Sequence, residues 1–423
     1  MIRTLVHWLR RGGGLLLAPF LTNHVERDVR PYTLPGIRAG SASEWNAERR
    51  GILRFFESEV YGAIPNEPVD MKVEVLEEGS AFDEKALRRQ VALTLSRADH
   101  LVTLNLLIYT PVQHLGVAHG GAPVVLAYNL EGNHTIHADP AILPSRVYAK
   151  RLPGVVKRLS KHDRGRKTKK EHLPVERLVQ EGFAVATLYY GDVDPDYDDW
   201  FKNGAHALYP ELPKGSWGSI SAWAWGLSRV MDYLETETGR NSGHAAFRDH
   251  SGAFAQILIS SNGMPTVSID PSRVALFGFS RLGKAALWAA ANDERFAAVI
   301  VDSPGKGGAA LARRRFGETV RLMTLRFPHW FNNTYKTYTG REDELPMDQH
   351  QLLALISPRP VLVSSADMDW WSDPVGEQAA VAAAQTVYRL YDAEGPEHVL
   401  HRGGHAVTED EWDDYFTFLR AHL

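Results

Sequence analysis

The chain contains no cysteine. A disulfide framework, a thiolate metal centre and a cysteine nucleophile are therefore excluded, and any covalent catalysis has to run through Ser, Thr, Asp, Glu or Lys. Neither charge dominates. The 47 Lys and Arg stand against 51 Asp and Glu, a net charge of −4, which gives no ground for a nucleic acid or an anionic membrane as partner. A long apolar run is missing too: the one stretch of targeting character, Gly12 to Leu21 behind Arg10 and Arg11, has only about ten residues, too few to span a bilayer. Residues 1–32 read as an N-terminal segment, either a signal or leader or a buried amphipathic stretch, since no small-x-small cleavage site follows. Internal repeats are absent, and 44% hydrophobic with 23% charged residues excludes disordered and fibrous classes. A soluble protein with a small-molecule or polymer substrate is expected.

Apolar, β-rich runs recur at Leu101 to Tyr109, Pro123 to Tyr128, Phe183 to Tyr189, Arg273 to Phe279, Ala297 to Val301 and Pro360 to Ser365. Most are nearly continuous rather than alternating, as strands buried on both faces should be. Helical patterns lie between and after them, at Ile220 to Glu235, Leu282 to Ala291, Pro374 to Tyr391 and Glu409 to Leu423. Strand and helix in alternation predict an α/β fold, a three-layer sandwich around a mostly parallel sheet. One such domain fills 33–423, with 33–96 as an extension packed against it and about 238–268, rich in Gly, Ser and His, as an insertion.

Three local features invite a binding role. Residues 150–170 hold ten Lys or Arg, which is a solvated loop or, as the functional alternative, a docking patch for an anionic polysaccharide. Asp192, Asp194, Asp196, Asp198 and Asp199 suggest a calcium loop, but the sixth and twelfth positions are Tyr197 and Asn203 rather than Gly and Glu, so a polar loop after a strand is expected. His134, His137 and His162 have no third partner at ligand spacing, and no metal or other cofactor is expected.

The chemistry lies in Arg273-Val-Ala-Leu-Phe-Gly278-Phe-Ser280-Arg281-Leu-Gly283-Lys284. An apolar strand runs into a Gly, one Ser sits on the turn, and helix formers begin at once, which is the context of a nucleophile elbow. The usual G-x-S-x-G is not met, because Leu282 stands where the last Gly belongs. A serine hydroxyl needs a base, and the base an orienting carboxylate. His405, in a loop between the last strand signal and the C-terminal helix, is the expected base, with His401 as competitor. The strand Pro360 to Ser365 ends in Asp367, Asp369 and Asp373. Asp369 is the choice among them, with Asp367, Asp373 and the earlier Asp302 as alternatives. Arg281 offers a backbone N–H and a guanidinium to an oxyanion, and Lys284, three residues on, shares its helix face.

Gly278-Phe-Ser280-Arg281-Leu-Gly283-Lys284 resembles the G-x-S-R-x-G-K signature of the glucuronoyl esterases, carbohydrate esterase family 15. The resemblance extends to Arg30-Pro-Tyr-Thr-Leu-Pro35, Glu59-Val-Tyr-Gly62, Gly132-Asn-His-Thr135, Tyr190 to Asp196, Trp223 to Arg229, Phe327 to Phe331, Asp348-Gln-His350 and Asp369 to Pro374. It implies an α/β-hydrolase fold and a serine esterase that cleaves, through an acyl-enzyme, the ester between 4-O-methyl-glucuronic acid of glucuronoxylan and a lignin alcohol. Ser280 would be the nucleophile, His405 the base and Arg281 the oxyanion donor, while Lys284, Glu318 and Trp371 match positions that contact the uronosyl ring. It also implies glucuronoxylan or its lignin ester as partner and a secreted or periplasmic location; the oligomeric state has no signal in the sequence, and a monomer is the default expectation. Fungal-type members carry a Glu where this chain has Ser303, so the carboxylate after the later strand, Asp369, takes its place, and Phe279 replaces a frequent Cys. The alternatives are another carbohydrate (acetyl) esterase of the same fold, or a non-catalytic polysaccharide-binding protein.

Overall fold

A computed structural model describes residues 22–114, 121–148, 154–157, 173–238, 244–248, 254–259 and 269–423. The N-terminal apolar run, almost all of the basic stretch at 150–170 and much of 238–268 lie outside the described residues.

Eleven strands form one sheet in the order β11-β10-β9-β8-β4-β5-β3-β2-β1-β7-β6. Its centre is β4 (Ala122–Asn129), β5 (Ala184–Tyr189), β8 (Ile269–Phe279), β9 (Ala298–Asp302) and β10 (Val361–Ala366), with β11 (Glu397–His401) outside β10. All of these neighbours pair in parallel. Every residue of β4, β5, β9 and β10 is buried, which is why their runs are continuously apolar.

On the other side β3 (His100–Pro111) pairs antiparallel with β5 and with β2 (Ala86–Arg97), and β2 pairs antiparallel with β1 (Asp70–Ala81). The stretch read as an extension thus supplies two strands of the sheet itself. Their sequences hide this, because Glu77, Arg88 and Gln90 stand in the strands and satisfy one another: Arg88 Nη2 lies 2.6 Å from Glu77 Oε1, and Gln90 Nε2 donates to Glu77 Oε2 at 2.7 Å. Beyond β1 the hairpin β6 (His244–Arg248) and β7 (Phe254–Ile259) continues the sheet, β7 parallel to β1.

Helices cover both faces. The long helices that follow the inner strands are α1 (Ser219–Thr238), α2 (Arg281–Asn292) and α3 (Pro374–Tyr388), and α2 packs against α1. On the opposite face α4 (Trp412–His422) packs its Trp412 on Phe277, with ring centroids 4.9 Å apart. Residues 282–291 of α2 are buried on every side, and its many alanines let neighbouring helices and the sheet approach closely. Parallel strands leave their carboxyl ends on one edge, where Ser280, Asp302, Asp369 and the loop after β11 all emerge. This is an α/β-hydrolase fold.

Candidate active site

The strand β8 turns into α2 at Ser280, whose φ of 56° and ψ of −124° no ordinary element contains. That costs backbone strain and lifts the side chain off the sheet edge. The turn is possible because a Cβ on Gly278 would come 2.5 Å from Leu282 O and one on Gly283 would come 2.9 Å from Gly278 O. The second small residue is therefore needed at 283, not at 282. The Ser280 backbone N–H stays tied to the sheet through Asp302 O at 2.8 Å.

His405 Nε2 lies 2.9 Å from Ser280 Oγ, and His405 Nδ1 lies 2.7 Å from Asp369 Oδ2. Serine, imidazole and carboxylate thus stand in one chain of hydrogen bonds. Phe279, in place of cysteine, lays its ring 4.8 Å from the His405 ring. Burial would raise the Asp369 carboxyl, but the His405 bond and charge, with help from Ser372, hold it below the usual carboxylate range. Ser372 Oγ also reaches His405 Nδ1 at 3.3 Å.

The competing acids have other partners. Asp367 Oδ1 accepts from Gly403 N at 3.0 Å, pinning the loop that carries His405. Asp373 caps α3 and holds Lys306 Nζ at 2.9 Å and Arg314 Nε at 3.0 Å, all three buried. Asp302 Oδ2 accepts from Tyr415 OH at 2.6 Å, on the face covered by α4; burial lifts its carboxyl to about 6. His401 stays in β11 and lies 3.9 Å from Asp414. The position that carries a Glu in fungal-type members is Ser303, which is buried.

The two cations beside Ser280 converge on one ring. Arg281 Cζ is 4.6 Å and Lys284 Nζ 5.9 Å from the centroid of Trp330. Arg281 Nη1 donates to Asp196 Oδ2. Lys284 is only 2% exposed, and its ammonium donates to Pro304 O at 2.6 Å. Burial strips water from this ammonium and pushes it down to about 8. The carboxylates acting on it, Glu318 and Glu377, oppose that shift. Glu377 is itself fully buried, accepting from Gly305 N at 2.7 Å, so it fixes the loop that orients Lys284.

Glu318 is buried and its N–H bonds Trp371 O at 2.9 Å, which brings the two predicted uronosyl contacts side by side. Arg326 joins them, 3.7 Å from Glu318 and 5.2 Å from the Trp371 ring. Sequence reading missed Arg326, Glu377, Ser372 and the part played by Asp196. The last belongs to the five-aspartate loop, and its members go separate ways: Asp192 to Asn105, Asp194 to His206 and Asp196 to Arg281. Among the described residues no group of three His, Asp or Glu side chains gathers to hold a metal.

The fold and the Ser280–His405–Asp369 chain are those of an α/β-hydrolase of the serine type. The family model described as "Glucuronyl esterase, fungi" matches residues 252–392. The chain is 37% identical to carbohydrate esterase MZ0003 from an unknown prokaryotic organism, over 95% of this chain and 92% of that one. It is 30% identical to 4-O-methyl-glucuronoyl methylesterase 1 of Phanerochaete chrysosporium, over 55% of this chain and 45% of the relative. In structure it is similar to the glucuronoyl esterase of Solibacter usitatus, with a TM-score of 0.79 and 33% identity, covering 94% of this chain and 100% of that one. The chain belongs to the glucuronoyl esterases, carbohydrate esterase family 15, and is a carboxylic ester hydrolase.

Proposed function

We propose that this enzyme hydrolyses the ester between 4-O-methyl-glucuronic acid of glucuronoxylan and lignin alcohols through an acyl-enzyme on Ser280. In this reading Ser280 Oγ attacks the uronic acyl carbon while His405 Nε2 takes its proton, and Asp369 keeps the imidazole in the tautomer that can accept it. The carbonyl oxygen becomes an oxyanion beside the Arg281 guanidinium and the Arg281 backbone N–H, which has no acceptor within its helix because it lies in the first turn. Collapse expels the alcohol with the proton from His405. Water then attacks the acyl carbon as His405 takes its proton, and collapse breaks the bond to Ser280 Oγ, which recovers that proton from His405 as glucuronate leaves.

The observation that carries the substrate class is the convergence of Arg281 and Lys284 on Trp330, beside Glu318 and Trp371. A bare acetyl group would offer no hydroxyl to the ammonium and the carboxylate and no ring face to the indole. A uronic acyl group has hydroxyls for Lys284 and Glu318 and an apolar ring face for Trp371. The activity named for the Phanerochaete chrysosporium relative agrees with this. The substrate implies export from the cell; among the described residues no helix is long and apolar enough to cross a membrane.

The test is a comparison of benzyl glucuronate with benzyl galacturonate and with an acetylated sugar. A preference for the glucuronate ester of at least tenfold in kcat/KM is expected, since hydroxyl-binding groups discriminate by the partner left unpaired. Equal rates on acetyl esters would overturn the substrate assignment.

A further inference from the structure

We propose that Asp196 is the positioning residue for Arg281: its carboxylate holds one terminal nitrogen of the guanidinium so that the remaining N–H edge faces the acyl oxygen at Ser280. This rests on the reading of Arg281 as oxyanion donor.

Asp196 is buried, and among the described residues four donors meet its two oxygens. Oδ1 accepts from Trp330 Nε1 at 2.8 Å and from His329 Nε2 at 3.0 Å; Oδ2 accepts from Tyr190 OH at 2.9 Å and from Arg281 Nη1. A carboxylate offers about four acceptor sites, so this one is filled by groups from three separate parts of the chain. It cannot turn without breaking several buried hydrogen bonds. Arg281, by contrast, has five N–H donors in a rigid fork and gives Asp196 a terminal one only. The guanidinium lies against Trp330 and Phe327, at 4.6 and 5.1 Å, and those rings stack on each other 3.8 Å apart with planes 3° from parallel. Trp330 therefore serves twice, as the surface under the cation and as a donor to its counter-ion.

The arrangement has a kinetic meaning. A flexible arginine would have to be ordered each time the oxyanion forms, whereas a pinned one needs no reorganisation at that moment. The benefit appears in the transition state and not in ground-state binding, so it belongs to kcat. A structural ion pair between the same residues would instead alter stability alone.

A double-mutant cycle on benzyl glucuronate separates the two. Arg281→Ala is expected to lower kcat by about 10²- to 10³-fold, as loss of an oxyanion donor does. Asp196→Asn, nearly isosteric, is expected to lower kcat roughly 10- to 100-fold with KM within about threefold, and to add less than about threefold once Arg281 is alanine, because residues that act as a unit are not additive. Tyr190→Phe, which removes one donor to Oδ2, should show a smaller kcat loss with the same dependence on Arg281 and covers the case in which Asp196→Asn does not fold. Independent, multiplying effects, or a wild-type kcat in a folded Asp196→Asn protein, would overturn the positioning role while leaving Arg281 as donor. Unchanged kcat in Arg281→Ala would remove the oxyanion reading and the positioning role with it.

Discussion

Asp369 and Asp373 stand four residues apart on one loop and serve different ends: Asp369 Oδ2 is 2.7 Å from His405 Nδ1, while Asp373 Oδ2 is 2.9 Å from Lys306 Nζ. One carboxylate turns to the imidazole at the cleft and the other back into a buried ion cluster. For Asp369→Asn the amide cannot hold His405 in the accepting tautomer, and kcat on a glucuronate ester is expected to fall about 10⁴-fold with the fold intact. Steady-state kinetics with a circular dichroism control checks this; a near wild-type rate would return the role to Asp302 or Asp367.

Asp373→Ala should do the reverse. It strands Lys306 as a buried cation, leaves Arg314 with Glu26 as its one carboxylate among the described residues, and removes the cap of α3. Breaking a buried ion cluster from one side costs about 3–5 kcal/mol. Chemical denaturation should show a loss of that order, with residual activity per folded molecule little changed.

The Lys284 ammonium gives a pH signature. Its value falls from the ordinary 10.5 to about 8 on folding, so between those values the unfolded chain binds more protons and this group makes stability rise with pH. In the proposed reading substrate binding follows the opposite sign, because the protonated form that would donate to sugar hydroxyls is lost as pH rises through about 8. KM for a glucuronate ester, corrected for spontaneous hydrolysis, is expected to climb above pH 8, and the climb to vanish in Lys284→Met. That variant, which removes a desolvated charge, should melt no lower than the wild type.

Much of this was legible in the sequence for a physical reason: strands buried on both faces have to be apolar throughout. The runs at 123–128, 183–189 and 360–365 lie within a residue of β4, β5 and β10. β1 and β2 were not legible, because Arg88 and Gln90 look like surface until Glu77 is known to meet them. The elbow could be read because its glycines answer a local contact between strand and helix. The part played by Asp196 could not, since its partners come from 190, 281, 329 and 330 and only the fold assembles them.

The most direct measurement is labelling with a serine-directed fluorophosphonate, followed by peptide mass spectrometry and assay on benzyl glucuronate. One phosphonyl group on Ser280, with activity lost in proportion to labelling and no label in His405→Ala over the same time, is the expected result. Full hydrolysis by protein modified at Ser280, or inactivation by label on a different serine, would contradict the account.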